Sequence, residues 1–475
     1  MAPESDARSP PPHRHGTHRP GPPHGASSAP STATGPPTVS RPYDRRAVFG
    51  WALYDFANSA YTTVIITFVY VLFFAENMGS ETLDGQTFWT RAATFTGLVV
   101  AISSPYLGAL ADRGGIRRGL LLSSTVVCVV FTALLFVPGP GQVWPALVFL
   151  VVSNIAFELS GVFYNSYLPD VAPQDRIGRI SGYGWALGYV GGLACTGLAI
   201  WYLLLPETAP FGLNRELGED YRAVTLLVAL WFAVFSVPMF LWVREPHGRK
   251  GARPPMRRIM REASQQIADT FREIRSRYTD IFRLLVARMF YNDGLVTIFV
   301  VGPLFVSQAY GMENMQVLTW GLMVQATSMV GAFALGFLDD RVGGKRTLMI
   351  TIFGMAIGGL WAVLADSLTS IYVAGLWIGI FVGPNQAASR SLLGRFVPEA
   401  KETEFYGFLA FSGKAIAFMG PFLYGEISQA TGSVRVGMGA VLVFFVVGGL
   451  LLLSVDEKRG IRARVLADGG STEAR

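Results

Sequence analysis

GALADRGGIRR (residues 108–118) and GFLDDRVGGKR (336–346) are one phrase written twice. Gly108, Asp112, Arg113, Gly115, Arg117 and Arg118 meet Gly336, Asp340, Arg341, Gly343, Lys345 and Arg346 at a constant offset of 228 residues. Each copy lies between two long apolar segments. A charged loop repeated at half the chain length points to a duplicated membrane protein. The duplication reaches further: LPDVAPQDRIGRISGYGWALGYVGG (168–192) parallels RFVPEAKETEFYGFLAFSGKAIAFMG (395–420). There Pro173 pairs with Pro398, Gly182 with Gly407 and Gly188 with Gly413.

Composition agrees. Apolar residues make up 51% of the chain and charged residues only 15%, where a soluble chain carries about a quarter. Spread over 475 residues, that deficit means many spans rather than one anchor. Cys128 and Cys195 lie inside apolar runs and form neither a metal spacing nor a disulfide framework. The first 43 residues are rich in Pro, Ser, Gly and His and read as a disordered tail, His13, His15, His18 and His24 included. No secretory signal precedes the first apolar run.

Twelve spans of membrane length are expected, near 48–74, 88–111, 119–137, 144–168, 180–204, 224–243, 282–308, 318–338, 347–365, 370–391, 404–425 and 434–455. The organisation is a tail (1–43), a six-helix unit (44–243), a basic linker (244–281), a second six-helix unit (282–455) and a final tail (456–475). Lys and Arg crowd every even-numbered loop and both flanks, while the odd-numbered loops are acidic or nearly uncharged. The positive-inside rule then places the even loops and both termini in the cytoplasm, and the chain in the plasma membrane. Within the linker, Ile259, Met260, Ile267, Phe271 and Ile274 recur at helical spacing against a basic face. That predicts an amphipathic helix on the anionic inner leaflet. Six spans plus six in direct repeat is the plan of carriers that rock around a site between their halves.

The residues at this point resemble a known family. GxxxDRxGxRR after spans two and eight is similar to the loop signature of the major facilitator superfamily. WALYDFANSAYTTVIITF (51–68), NSYLPDVAPQDRIGRISGYGWALGYVGG (165–192) and YNDGLVTIF (291–299) resemble its vacuole-effluxer-like branch. That branch holds fungal autophagy-related vacuolar amino-acid exporters and bacterial relatives. The resemblance spans roughly residues 46–455. It implies an all-α fold of two six-helix bundles related by a pseudo-two-fold axis, working as a monomer by alternating access. It also implies a small polar solute, amino acids before others; a proton is the candidate coupled ion. Two departures stand out. Ile116 replaces a usual basic residue, and span five lacks the Gly-Pro pair of many drug/proton antiporters.

Polar groups at membrane depth are costly and therefore candidates for function. Span one offers Tyr54, Asp55 and Asn58; span four offers Asn154, Glu158 and Asn165; span seven offers Tyr291, Asn292 and Asp293; span ten offers Asn385 and Gln386. The resemblance makes these four spans the lining of the central cavity. No span contains a histidine, so a coupled proton must ride on a carboxylate, with Glu158 and Asp293 ahead of Asp55. Arg288 and Arg390 lie within snorkelling reach of the cytoplasmic interface. Gly184, Gly188 and Gly192 form a small-xxx-small packing stripe.

The repeated loop reads as a latch. Asp112 and Asp340 are expected where a helix begins, stabilised by backbone amides and arginines. By symmetry and resemblance, Asp112 should face span eleven near Arg395, and Asp340 should face span five near Arg176 and Arg179. No nucleotide-binding loop, metal-ligand cluster or Ser/His/Asp constellation occurs in the spans, so neither an enzyme nor a cofactor is expected, and nothing points to nucleic acid. Within transport the alternative is a multidrug or sugar exporter. Outside it, the alternative is a non-transporting receptor or scaffold, in which cavity polar groups would be dispensable.

Overall fold

A computed structural model describes residues 44–79, 83–244 and 256–472; the expected N-terminal tail and part of the linker lie outside them. The described residues are helical throughout, with no strand. Twelve helices are long and apolar enough to cross a membrane. Spans one to six are Arg45–Asn77, Gly85–Gly114, Arg117–Leu134, Val143–Val171, Ile177–Leu204 and Glu219–Trp242. Spans seven to twelve are Thr279–Tyr310, Met315–Val342, Gly344–Leu364, Leu368–Phe396, Glu399–Thr431 and Val434–Leu453. Each overlaps its expected segment, and most run several residues longer because helix continues into the loops.

Most buried apolar residues of spans one to six form one core, with a small separate cluster at Ala109 and Leu110. Those of spans seven to twelve form two adjoining clusters of their own. The molecule is therefore two six-helix bundles. Large apolar side chains such as Ile102, Leu241 and Phe353, each 69% exposed, point outward, as lipid-facing residues do. Helices of this kind gain no hydrophobic drive from one another, so close contact depends on small residues. Gly108 of span two lies against the Thr403 carbonyl of span eleven, and Gly407 lies against Ser104 on the return. Gly336 of span eight and Gly182 of span five meet in the same way in the mirrored position. On span five, Gly184, Gly188 and Gly192 lie against Asp55, Ser59 and Thr63 of span one.

Four spans are irregular: span four turns at Ser166–Tyr167 before a last short helix, Leu168–Val171. Span one changes to π-helix over Tyr61–Phe68 and steps at Val69. Span five ends in a π-helical segment, Ala199–Leu204. Span eleven breaks between a lower helix, Glu402–Lys414, and an upper helix, Met419–Thr431.

The linker contains a helix, Met256–Ser276. Its last turns rest on protein. Thr270 and Ile274 are buried, and Lys401 donates to Thr270 Oγ1 (3.0 Å) and Glu273 (2.7 Å), whereas Phe271 is exposed. The final segment is a helix, Glu457–Thr472, docked under the second bundle. Asp280 of span seven accepts from the Asp456 amide and twice from Arg459.

Candidate functional site

Both copies of the repeated loop lie at one end of the molecule, here the basic end. Span two closes with Gly115 at φ 57°, and span eight with Gly343 at φ 96°, conformations that favour glycine. Asp112 and Asp340 therefore sit in the last turn of a helix, not at the start of one. Each reaches across to cap a helix of the other bundle. Asp112 accepts from the Thr403 (3.1 Å) and Glu404 (2.9 Å) amides at the start of span eleven. Asp340 accepts from the Gly178 (2.8 Å) and Arg179 (3.2 Å) amides at the start of span five. Carboxylates at helix N-termini meet unpaired amides and the positive end of the dipole.

The arginines are distributed unevenly. Arg179 Nε adds a 2.6 Å bond to Asp340. Arg395 also belongs to this second junction and not to Asp112: it pairs with Asp339 (2.5 Å), Asp340 (3.5 Å) and Glu457 (3.5 Å). Ser391 donates to Asp339 as well. Arg176, expected beside Asp340, instead pairs with its neighbour Asp175 at 3.4 Å. In the first junction Arg117 is buried under the loop. It pairs with Asp170 and with Glu402 (3.2 Å) of the other half, and lies over the Tyr167 ring. Arg118 donates to the Phe240 carbonyl, and Lys345 to the Leu453 carbonyl (2.8 Å). Arg113, Arg341 and Arg346 are exposed.

Above these junctions stands Arg390 of span ten, 3% exposed rather than snorkelling. Its Nη1 donates to Asp55 (3.1 Å) of span one and to Asn165 (2.9 Å) of span four. Its Nε and Nη2 donate to the side chain (3.0 Å) and carbonyl (2.8 Å) of Ser181 on span five. The guanidinium stacks over Trp51 at 4.6 Å. Asp55 is thus the counter-ion of a charge from the other half.

Near mid-depth Glu158 of span four pairs with Lys414 of span eleven at 2.7 Å, and their side chains stay 25% and 34% exposed. Lys414 lies twelve residues above Glu402, about 18 Å by helical rise. Among the described residues, the ion pairs joining the halves run from the basic end up to this one. Beside it, Arg288 donates to the Leu409 carbonyl and to Gln386 Oε1, both at 3.3 Å. Gln386 donates to Asn292 (3.4 Å), and Asn292 donates to the Gly413 carbonyl (3.0 Å), just below the break in span eleven. Asp293 is 1% exposed; one oxygen accepts from the Gly420 amide (3.0 Å), just above that break, and the other is buried with no hydrogen-bond partner. Two consecutive residues of span seven thus hold the two sides of the break.

Other expected residues face inward. Tyr54 pairs with Thr125 (2.7 Å) and stacks on Tyr164 inside the first bundle. Tyr291 pairs with Ser389 (2.9 Å), and Asn385 donates to Thr351 (3.0 Å), both inside the second bundle. Asn58 is buried and Asn154 half-buried. Lys414, Asp339, Glu402 and Glu457 join these contacts without being expected from the sequence. Lys414 carried a usable signal, since a lone lysine in mid-span is itself an intramembrane charge.

Comparison with known proteins fits this architecture. The chain is 28% identical to the MFS-type transporter YxiO of Bacillus subtilis, covering 86% of this chain and 94% of that one. It is 23% identical to autophagy-related protein 22 of Eremothecium gossypii, over 92% and 97% of the two chains. Its fold is similar to that of the human organic anion transporter MFSD10 (TM-score 0.67, 13% identity, 87% of this chain and 100% of that one). It is also similar to the proton:xylose symporter XylE (TM-score 0.66, 14% identity, 89% and 98%). The family described as vacuole effluxer Atg22-like matches residues 78–465. With twelve apolar helices in two bundles, joined across their interface by charged residues, this chain belongs to the Atg22-like vacuole effluxers, a family of major facilitator superfamily transporters and not of enzymes.

Proposed function

We propose that the chain is a proton-coupled carrier of amino acids, seated in the plasma membrane with its basic end and both termini in the cytoplasm. The observation that carries this reading is the Glu158–Lys414 pair. One carboxylate and one ammonium face each other across the two halves near mid-depth and remain accessible. An α-amino acid offers the complementary pair of charges, so it can take the place of each partner for the other. A sugar would leave both charges unmatched, and a lipophilic cation would satisfy only Glu158. Supplying fixed charges in a low-dielectric site is how binding gains strength there.

In alternating access, the two aspartate-capped junctions close the cytoplasmic side while the solute is bound from the other face. Arg390 adds a third tie at Asp55. All three must break for the cytoplasmic side to open. Asp293 is the proton's place: it is buried, holds the upper half of span eleven by one oxygen and has the other oxygen unmatched. Protonation would weaken its hold on the Gly420 amide and free the upper helix to tilt about the break. The solute and the proton would then act on the two sides of one hinge. A single carrier unit suffices, since each element named belongs to one chain.

The test is flux into liposomes holding the purified protein, with labelled amino acids, sugars and cationic dyes, each with and without a pH gradient. The expected result is amino-acid flux that grows with the gradient. In Asp293→Asn, exchange of amino acid for amino acid should persist while the response to the gradient is lost. Flux of sugars or dyes with no amino-acid flux would overturn the reading.

A further inference from the structure

Arg288 is half-buried and, among the described residues, has no carboxylate partner. The fully buried arginines of this region do: Arg117 has Asp170 and Glu402, Arg390 has Asp55, and Arg395 has Asp339, Asp340 and Glu457. Arg288 lies nine residues into span seven, about 13 Å from its start by helical rise. Among the described residues its guanidinium is held by two neutral acceptors at 3.3 Å, Gln386 and the Leu409 carbonyl, and its buried Nε has no partner. A guanidinium offers five donors in a rigid fork suited to a carboxylate, and buried charges are normally paired. The chain also makes room for it. A Cβ at position 413 would stand 2.6 Å from Arg288 Nη1 and push that flexible end aside, so the glycine there leaves the guanidinium its present place.

We propose that Arg288 is the anchor for the carboxylate of the transported solute, a site that rests on the amino-acid reading above and fixes the solute's orientation within it. The carboxylate docks on Arg288, with the amides of Gln386 and Asn292 alongside. The ammonium docks on Glu158 of the opposite half. Lys414, displaced from Glu158, turns to the carboxylate next to its neighbour Gly413. The unmatched cation of the empty carrier is neutralised only when a carboxylate-bearing solute is bound, and the solute bridges the halves where Lys414 did before. Recognition is therefore of the α-amino-acid backbone, so side-chain selectivity is set elsewhere.

The experiment uses the full chain in liposomes and the labelled amino acid giving the largest exchange flux. Unlabelled competitors are the same amino acid, its methyl ester, its decarboxylated amine and its N-acetyl derivative. The free amino acid should compete at least tenfold better than the ester and the amine, which lack the carboxylate, and better than the N-acetyl form, which lacks the ammonium. Arg288→Gln should raise the half-saturating concentration at least tenfold. Arg288→Lys, which keeps the charge and loses the fork, should fall between. Equal competition by ester and free acid in the unmodified protein would overturn the assignment without need of any variant. So would a half-saturating concentration within twofold of the original in folded Arg288→Gln. Absence of amino-acid exchange in the unmodified protein would instead overturn the broader reading of the carrier.

Discussion

Asp112 and Asp340 occupy the same place in the repeat, and each accepts two backbone amides from the first turn of a helix in the other half. Yet Asp340 also holds Arg179 and Arg395, while the charge of the first copy is concentrated at Arg117. The backbone half of the junction has been kept in both copies. The arginine half has been placed on opposite sides of it. In the first junction the cation comes from the loop and its carboxylates from spans four and eleven. In the second the cations come from spans five and ten and the carboxylates from the loop end. Duplication has preserved what the geometry requires, a carboxylate at a helix N-terminus beside a glycine, and left the sign of the surrounding charges free.

Substitutions at equivalent positions sharpen this contrast. Arg117 and Lys345 correspond in the repeat, but one is buried between two carboxylates and the other donates to a single carbonyl at the surface. Arg117→Gln should cost about 3–5 kcal/mol of stability, because it leaves buried carboxylates unmatched. Lys345→Gln should cost less than about 1 kcal/mol. Thermal unfolding in detergent checks both, and equal losses would break the comparison. At the aspartates, Asp340→Asn should shift the balance towards a form open at the basic end by about tenfold, since hydrogen bonds to charged groups are worth about 1.5–3 kcal/mol. Asp112→Asn, which among the described residues breaks no ion pair at that carboxylate and weakens only its two amide bonds, should shift it less, about threefold. The smallest effect belongs to Glu457. It caps span nine through the Gly344 (3.0 Å) and Lys345 (3.1 Å) amides and shares Arg395. Glu457→Gln should change the balance by less than about twofold, because a glutamine still accepts one amide. Protease accessibility of the loop after span eight would report it.

Much of the architecture is legible in the chain. Low charge, twelve apolar runs and the repeated phrase announce two bundles, because a bilayer leaves helices little alternative. The Gly182–Gly407 correspondence is legible too, and both glycines lie at helix crossings between the halves. What escapes the sequence is partner choice. Arg395 lies in the segment that faces Asp112 by symmetry, but span ten carries it to the other junction. Arg288 and Arg390 are close enough to a helix end to snorkel, yet the packing of two bundles turns both inward, and no local pattern encodes that. The π-helical segment at Tyr61–Phe68 has no proline or glycine to announce it, only a β-branched run. Lys414 and Glu158 are separated by 256 residues, so their pairing exists only once the halves meet.

We propose that the repeated loop forms two unequal latches holding the same side closed. The most direct measurement of this is the distance distribution between spin labels placed at the ends of spans two and eleven, and of spans eight and five, by pulsed electron resonance. The unmodified protein, Asp112→Asn, Asp340→Asn and the double variant would be compared in the absence of solute. The expected result is a longer-distance population at both label pairs that is small in Asp112→Asn, larger in Asp340→Asn and largest in the double variant. Distributions that do not change in the double variant would contradict it.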